Sequence, residues 1–207
     1  MTPPADDGPA PPRRRPGGRT ARVRAQVHDA VLAELGEHGF DGLTVEAVAA
    51  RAGVHRATVH RRWGDVGGLL ADVLDAAADD AWQPPDTGSL ERDLAGLNRE
   101  IQDAMTARPP VMAALIAASF RSEKAERAQR RLWEDRYARC EIVVSRAVRR
   151  GELPPATNAR QLLIAATAPL YHHLVLLRTP PDPDLPDHAA RTAALAAAAG
   201  AFTGTDR

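Results

Sequence analysis

The chain has little cysteine, few aromatic side chains and no long apolar run. Cys140 is the single cysteine, so no disulfide can form within the chain. Its apolar helical surroundings predict a buried structural thiol. No uncharged apolar run approaches the roughly 18 residues of a membrane span, and we expect none. The N-terminus carries Pro and Arg instead of the apolar core of a signal peptide, so we expect a cytoplasmic protein.

The motifs of enzymes and of bound cofactors are also missing. The sequence contains no GxSxG, HExxH, GxGxxG, P-loop or CxxC motif. His172 and His173 are neighbours, and adjacent helical side chains point about 100° apart, so they do not predict a metal site. We therefore expect no enzyme, no cofactor and no metal. A catalytic acid–base pair whose members lie far apart in the sequence would leave no motif. Turnover of a substrate would reveal such a pair.

Charge is balanced over the chain but unevenly distributed. Residues 1–63 carry ten Arg against seven Asp and Glu, whereas the formal charge of the whole chain is zero. A basic N-terminal third permits a nucleic-acid role without requiring it. Nearly all of the basic side chains are Arg, and Lys124 is the single lysine. That preference indicates codon bias, so a single Arg does not by itself indicate function.

The first 18 residues differ from the rest. They contain six of the seventeen prolines and almost no apolar side chain, which predicts a disordered segment at 1–18. Arg13, Arg14, Arg15 and Arg19 make this segment basic. Two interpretations remain open: a solvated tail, or a flexible arm that meets DNA phosphates or the minor groove.

Beyond this segment, apolar residues recur at helical spacing and no stretch alternates as a strand would, which predicts an all-α protein. The first helix is expected at 20–38, ended by Gly39. Gly64, Gly67 and Gly68 are expected to form a flexible junction. The later helices are predicted at 69–82, 89–107, from Pro110 to Phe120, 123–150, 158–178 with a bend at Pro169, and 187–202.

Residues 43–63, LTVEAVAARAGVHRATVHRRW, predict two short helices joined by a tight turn. Thr44 is placed to cap the first helix, and Gly53 provides the positive φ that the turn needs. On the second helix Val59 and Trp63 share one face at i, i+4. The opposite face is basic and rich in hydrogen-bond donors, as in a helix that reads the DNA major groove. A solvated basic helix of an ordinary helical protein is the alternative interpretation.

The run VHDAVLAELGEHGFDGLTVEAVAARAGVHRATVHRRW, with its GF, LTV and AxxAGV motifs, resembles the N-terminal domain of the TetR family of one-component repressors. The segment RGELPPATNARQLLIAATAPLYHHLVLL is more loosely similar to the ligand-binding half. The resemblance implies an all-helical homodimer. It also implies a DNA-binding domain at 19–66 with a helix-turn-helix, and a bundle at 67–207 for ligand binding and dimerisation.

The resemblance also implies which residues contact operator DNA. Arg56 is expected to read a guanine edge with two hydrogen bonds, and Thr44 to hold a phosphate at a helix N-terminus. The family usually has Tyr at His60 and Lys at Val66, and both grip phosphates. His60 can still donate a hydrogen bond, but Val66 cannot. The candidate DNA-binding residues are Thr44, His55, Arg56, Thr58, His60, Arg61 and Arg62.

Most aromatic residues lie beyond residue 64, where they fit either a helical core or a cavity for a drug-sized apolar ligand. The candidate ligand-binding residues are Trp82, Met112, Ile116, Phe120, Trp133, Tyr137, Tyr171 and His172.

Together these patterns predict a DNA-binding transcriptional regulator, a repressor that an unknown small-molecule effector releases from double-stranded operator DNA. The Leu162–Leu177 segment is apolar nearly all round, and Ala194, Ala197, Ala198 and Ala201 form a small face on the final helix. Both surfaces are expected to pair with a second subunit. The alternative is a dimeric helical scaffold or a small-molecule-binding protein without DNA affinity.

Overall fold

The computed structural model describes residues 17–78 and 81–204. Within these ranges no strand is present, and Thr157 and Thr203 form an isolated bridge pair. The predicted all-α class is confirmed. The helices are α1 Gly17–Gly42, α2 Val45–Ala52, α3 Arg56–Trp63, α4 Val66–Ala78, α5 Leu90–Thr106, α6 Val111–Ser119, α7 Glu123–Arg149, α8 Ala159–Tyr171, its π-helical continuation His172–Leu177, and α9 Leu185–Ala198.

Helix α1 starts earlier than the sequence predicted. Its described part begins at Gly17, so residues 17–18 of the predicted arm are helical, while residues 1–16 lie outside the described part of the chain. Gly39 was expected to end the helix, but with φ 67° and ψ −170° it only interrupts it, and helical turns resume to Gly42. Val27, Ala30, Val31 and Leu35, which recur at helical spacing, are buried. Burial of each larger side chain contributes about 1.5–3 kcal/mol.

Of the expected flexible junction, Gly64 ends α3, and Gly67 and Gly68 lie instead in the first turn of α4. A Cβ atom on Gly68 would lie 2.0 Å from the Trp63 carbonyl oxygen, and one on Gly67 would lie 2.2 Å from Ser122 Oγ. Glycine at both positions therefore lets α4 start directly against α3 and against the turn before α7. Helix α4 ends at Ala78, so Trp82 lies beyond its end.

Two apolar cores meet along α7. The first joins α1–α4 with α6 and the beginning of α7, and the second joins α5, α8 and α9 with the rest of α7. Leu132 belongs to the first core, and Val143 and Val144 to the second. The first core thus includes residues beyond 66. The domain boundary at residue 66, between 19–66 and 67–207, stays a prediction. No helix of the described residues combines the length and apolar content that a bilayer span requires.

Asn98 is a polar anchor inside the second core. Its side chain is fully buried, and Nδ2 donates to the carbonyl oxygens of Ala166 and Pro186 at 3.1 and 3.0 Å. A buried amide is tolerated where its donors are used. Asn98 therefore fixes α5 against both α8 and α9.

Helix α8 buries one side within the subunit, and α9 buries a different face from the one the sequence suggested. Leu162, Leu163 and Leu170 are buried within the subunit, so α8 is covered on one side. On α9 the buried face runs through Ala189, Ala190, Ala193 and Ala197. Ala197 therefore does not face a second subunit, whereas Ala198 and Ala201 are exposed. Pro169 lies in α8 three residues before hydrogen bonding changes to the π-helical pattern at His172.

Candidate nucleic-acid interface and effector cavity

Helices α2 and α3 form the predicted helix-turn-helix. Thr44 caps α2, because its Oγ1 accepts the Ala47 N–H at 3.0 Å. Gly53 has φ 64° and ψ 32°, and its N–H reaches the carbonyls of Ala49 and Ala50. The left-handed backbone conformation of Gly53 makes the tight turn, and residues with a Cβ atom adopt that conformation only with a loss of conformational free energy. Both predictions about the turn are confirmed.

The second helix of the pair is amphipathic. Val59 is fully buried and Trp63 is 8% exposed, and these two side chains hold α3 to the first core. His55, Arg56, His60, Arg61 and Arg62 are exposed, while Thr58 is half-buried. The helix therefore presents most of its predicted DNA-binding side chains to solvent.

A carboxylate hub fixes α3 from behind. Asp72 of α4 accepts the Trp63 indole N–H at 2.7 Å. The same carboxylate takes two hydrogen bonds from Arg24 and contacts His28 Nε2 at 2.7 Å. Burial opposes ionisation of Asp72, but the hydrogen bonds from Arg24, Trp63 and His28 outweigh it and hold its pKa well below the ordinary 3.8. Helices α1, α3 and α4 are thus joined at one ionised group.

The basic side chains of α3 have modest protein partners. Arg56 Nε lies 2.7 Å from Glu46 Oε1, and the two side chains are 72% and 55% exposed. Exposed pairs of this kind contribute at most about 1 kcal/mol, so DNA can take the guanidinium from Glu46. Arg62 donates to the Thr20 carbonyl at 3.2 Å and stacks over the Trp63 ring. Among the residues that the structure describes, Arg62 has no carboxylate partner.

One ring nitrogen of His60 is engaged at the end of its own helix. Its Nδ1 lies within hydrogen-bond distance of the Gly64 carbonyl oxygen, which can only accept. Nδ1 therefore carries the proton in this arrangement, and a neutral imidazole then presents Nε2 as an acceptor. An acceptor repels phosphate oxygens but can accept the amino group of adenine or cytosine.

The beginning of α4 offers no exposed cation of its own. Val66 is half-buried, and Asp65 caps the helix by accepting the Gly68 N–H at 2.8 Å. Lys124, at the start of α7, donates to Asp65 at 2.7 Å. These hydrogen bonds, first from Lys124 and then from Gly68, lower the pKa of Asp65. The one lysine of the chain is thus paired with Asp65, the neighbour of Val66, where the resemblance implies a phosphate-binding Lys.

A cavity of about 240 Å³ lies among α4, α5, α6, α7 and α8. Its walls are mostly apolar. The lining residues are Ala77, Trp82, Leu97, Glu100, Ile101, Ala104, Met105, Met112, Leu132, Trp133, Arg136, Tyr137, Cys140, Leu163, Thr167 and Tyr171.

The cavity brings together five of the eight candidate ligand-binding residues: Trp82, Met112, Trp133, Tyr137 and Tyr171. The other three are corrected. Phe120 is 80% exposed at the end of α6, Ile116 is buried outside the lining, and His172 is exposed beyond the end of α8. Helical rotation accounts for Phe120 and His172, which lie about 80° and about 100° round the helix from the lining residues Met112 and Tyr171. Ile116 lies one turn after Met112 on the same side of α6, so rotation does not account for its place outside the lining.

Sequence reasoning missed four polar groups of the lining: Glu100, Arg136, Cys140 and Thr167. Arg136 and Cys140 follow Trp133 at i+3 and i+7, so the helical period of α7 would have found them. Burial raises the pKa of the Cys140 thiol to about 11, which agrees with the inert buried thiol predicted. Within the described ranges no group of three His, Cys, Asp or Glu side chains is placed to hold a metal ion.

Two family models match the chain. Residues 28–73 match the model described as bacterial regulatory proteins, tetR family. Residues 84–193, more than half of the chain, match the model described as tetracyclin repressor-like, C-terminal domain. The first match covers the helix-turn-helix, and the second covers most of the cavity. Neither model describes a family of enzymes.

Individual relatives agree with the family models. The HTH-type transcriptional regulator AqdR of Rhodococcus erythropolis is 32% identical over 174 residues, which are 83% of each chain. The DNA-binding transcriptional repressor TetR of Mycobacteroides abscessus is 32% identical over 142 residues, 67% of this chain and 74% of that protein. The crystal structure of the TetR family transcription regulator SCO0332 superposes with a TM-score of 0.63 at 28% identity, covering 86% of this chain and 98% of that chain. This chain belongs to the TetR family of helix-turn-helix transcriptional regulators, whose members bind operator DNA and act as dimers.

Proposed function

We propose that this protein is a dimeric transcriptional repressor, which binds operator DNA through α3 and is released when a small molecule fills the cavity. The observation that carries the proposal is the geometry of α3. Val59 and Trp63 anchor one face in the core, and Asp72 fixes Trp63 from α4. The opposite face, exposed and basic, is then rigidly presented for the major groove. Its place of action is the cytoplasm, where bacterial operator DNA lies.

The roles of the interface residues follow from their positions. Arg56, at the start of α3, is assigned to a guanine edge, and His60 to a base amino group through Nε2. Thr44 and the free N–H groups at the start of α2 are assigned to a phosphate. Arg61 and Arg62 are assigned to phosphates, which orient the helix without reading sequence.

The proposed dimer uses the outward faces of α8 and α9. Ile164 and Leu195 are 44% and 65% exposed in the single subunit. Ala165, Ala168 and Ala199 are exposed beside them at helical spacing. Small residues allow helices to approach closely, and a two-fold axis pairs each patch with its own copy. Such a dimer presents two copies of α3 to two half-sites of the operator.

Two structural links connect the cavity with the DNA-binding helices. Met105 and Met112 line the cavity and flank the turn that carries Pro109. A Cβ atom on Gly36 of α1 would lie 2.7 Å from the Pro109 Cβ, so this turn rests directly on α1. Ala77 also lines the cavity, at the far end of the helix that carries Asp72. A ligand that displaces these walls therefore shifts the dimer to a state in which the spacing of the two α3 helices no longer matches that of the half-sites.

The proposal is tested by selecting binding sites from a randomised duplex library and then titrating the selected duplex in mobility shifts. Two half-sites about one helical turn apart are expected. Arg56→Ala should lose about 1–3 kcal/mol, or about 5- to 150-fold in affinity, and relax one position of each half-site. Arg127→Ala, on the exposed surface of α7, is the matched control and should bind as the wild type does. A library that yields no enriched sequence would refute the repressor.

The alternative is a dimeric small-molecule-binding protein without DNA affinity. Val66 and the Lys124–Asp65 ion pair favour it, because Val66 carries no charge and the Lys124 ammonium is already paired. Under this alternative the same selection enriches nothing, while ligand binding to the cavity persists.

A further inference from the structure

The aromatic rings of the cavity are arranged to receive a flat ligand. Trp133 meets Tyr171 edge to face, with ring centroids 5.3 Å apart and an interplanar angle of 81°. Trp133 also lies 6.4 Å from Tyr137 at a tilt of 44°. Rings favour such offset and edge contacts, and a planar aromatic ligand can extend the cluster in the same way.

Both charged side chains of the described lining contact Trp82. They are Glu100 and Arg136. Glu100 Oε2 accepts the Trp82 indole N–H at 2.8 Å. Arg136 stacks over the same indole at 4.7 Å and donates to the Ala77 carbonyl. A charged ligand that recruits either group must displace these contacts, whereas a neutral ligand leaves them in place.

The hydroxyl groups of the lining are not equivalent. Thr167 Oγ1 donates to the Leu163 carbonyl at 3.0 Å, so Tyr137 must donate in its 3.4 Å contact with Thr167. The hydroxyl of Tyr171 has no hydrogen-bond partner within residues 17–78 and 81–204. Burial, with Tyr137 and Cys140 nearby, raises the pKa of Tyr171, so its hydroxyl keeps its proton. Tyr171 is thus the donor that the protein leaves for a ligand.

We infer that the effector is a neutral, flat aromatic molecule of about two fused rings, with an acceptor oxygen such as a carbonyl for the Tyr171 hydroxyl. The ligand class is inferred from the cavity alone. That this ligand acts as the effector rests on the proposed function. The size follows from a volume of about 240 Å³, which is small among ligand cavities.

Four naphthalene probes separate the relevant properties. Acetylnaphthalene is neutral and carries the acceptor, ethylnaphthalene lacks it, naphthoate is anionic and naphthylmethylammonium is cationic. The full-length protein is titrated with each probe by calorimetry in the absence of DNA.

The ketone is expected to bind about five- to tenfold more tightly than the ethyl compound, the usual effect of one hydrogen bond. Both charged probes should bind more weakly still. Tyr171→Phe should remove the advantage of the ketone and leave the ethyl compound unchanged. Tyr137→Phe is the matched control, because its hydroxyl already serves Thr167, and it should keep the advantage.

Three results would overturn the inference. They are tighter binding of a charged probe, an undiminished ketone advantage in Tyr171→Phe, and the failure of all four probes to bind. Because these titrations contain no DNA, their outcome is separate from that of the operator selection, which tests the proposed repressor.

Discussion

Removing the carboxylate of Asp72 should loosen the recognition helix α3, because Asp72 accepts the Trp63 indole N–H and also binds Arg24 and His28. The perturbation is a double-mutant cycle with Asp72→Ala, Trp63→Phe and both together. Trp63→Phe keeps an aromatic side chain in the core and deletes only the donor and part of the ring.

The magnitude follows from the geometry. A hydrogen bond to a charged acceptor contributes about 1.5–3 kcal/mol. Trp63 is 8% exposed and the Asp72 side chain is 26% exposed, so screening by water favours the lower half of that range. We expect a coupling free energy of about 1.5–2 kcal/mol. Asp72→Ala alone should cost about 2–4 kcal/mol, because it also strips Arg24 and His28 of this acceptor.

The assay is urea unfolding followed by circular dichroism at one fixed protein concentration, since the stability of a dimer depends on concentration. Trp82→Phe combined with Asp72→Ala is the control pair, because Trp82 binds Glu100 instead. That pair should be additive within about 0.5 kcal/mol. If the Trp63–Asp72 pair is equally additive, the hub does not hold α3 and the reasoning fails.

Four further predictions test other parts of the structure. Gly68→Ala should destabilise the protein by about 1–3 kcal/mol in urea unfolding, because its Cβ would overlap the carbonyl oxygen of Trp63. The control Gly18→Ala, whose Cβ would have nothing within 4 Å, should be neutral or slightly stabilising, and equal stabilities of the two variants would contradict the prediction. Leu195→Glu should place a charge in the proposed interface, and sedimentation at micromolar concentration should then show a folded monomer where the wild type is a dimer. The ionised Asp72 stabilises the folded protein fully above its ordinary pKa of 3.8. This stabilisation is lost as the pH falls from 3.8 through the lower pKa of the folded state, so the difference in free energy of unfolding between wild type and Asp72→Ala should narrow over that range. A constant difference would count against the ionised hub. Deleting residues 1–18 should leave the thermal unfolding transition in place and flatten the salt dependence of operator binding; equal slopes would make the segment a mere tail.

Much of the DNA-binding half was determined by local sequence. The cap at Thr44 and the left-handed Gly53 depend on neighbours within a few residues, so their chemistry is readable from the chain alone. The buried face of α3, Val59 and Trp63, follows from helical periodicity in the same way. For the same reason the all-α class and the aromatic cluster of α7 could be predicted.

Only the tertiary structure decided which helical faces meet. Asp72 joins Arg24 across 48 residues, and no local period encodes such a pair. The phase with which helices cross also left Phe120 and His172 outside the cavity, and it turned Ala197 toward its own subunit. A helix turns about 100° per residue, so a small rotation in packing moves a side chain from one neighbour to another. Local patterns determine which segments are helices, whereas the packing of the whole chain determines what each face contacts.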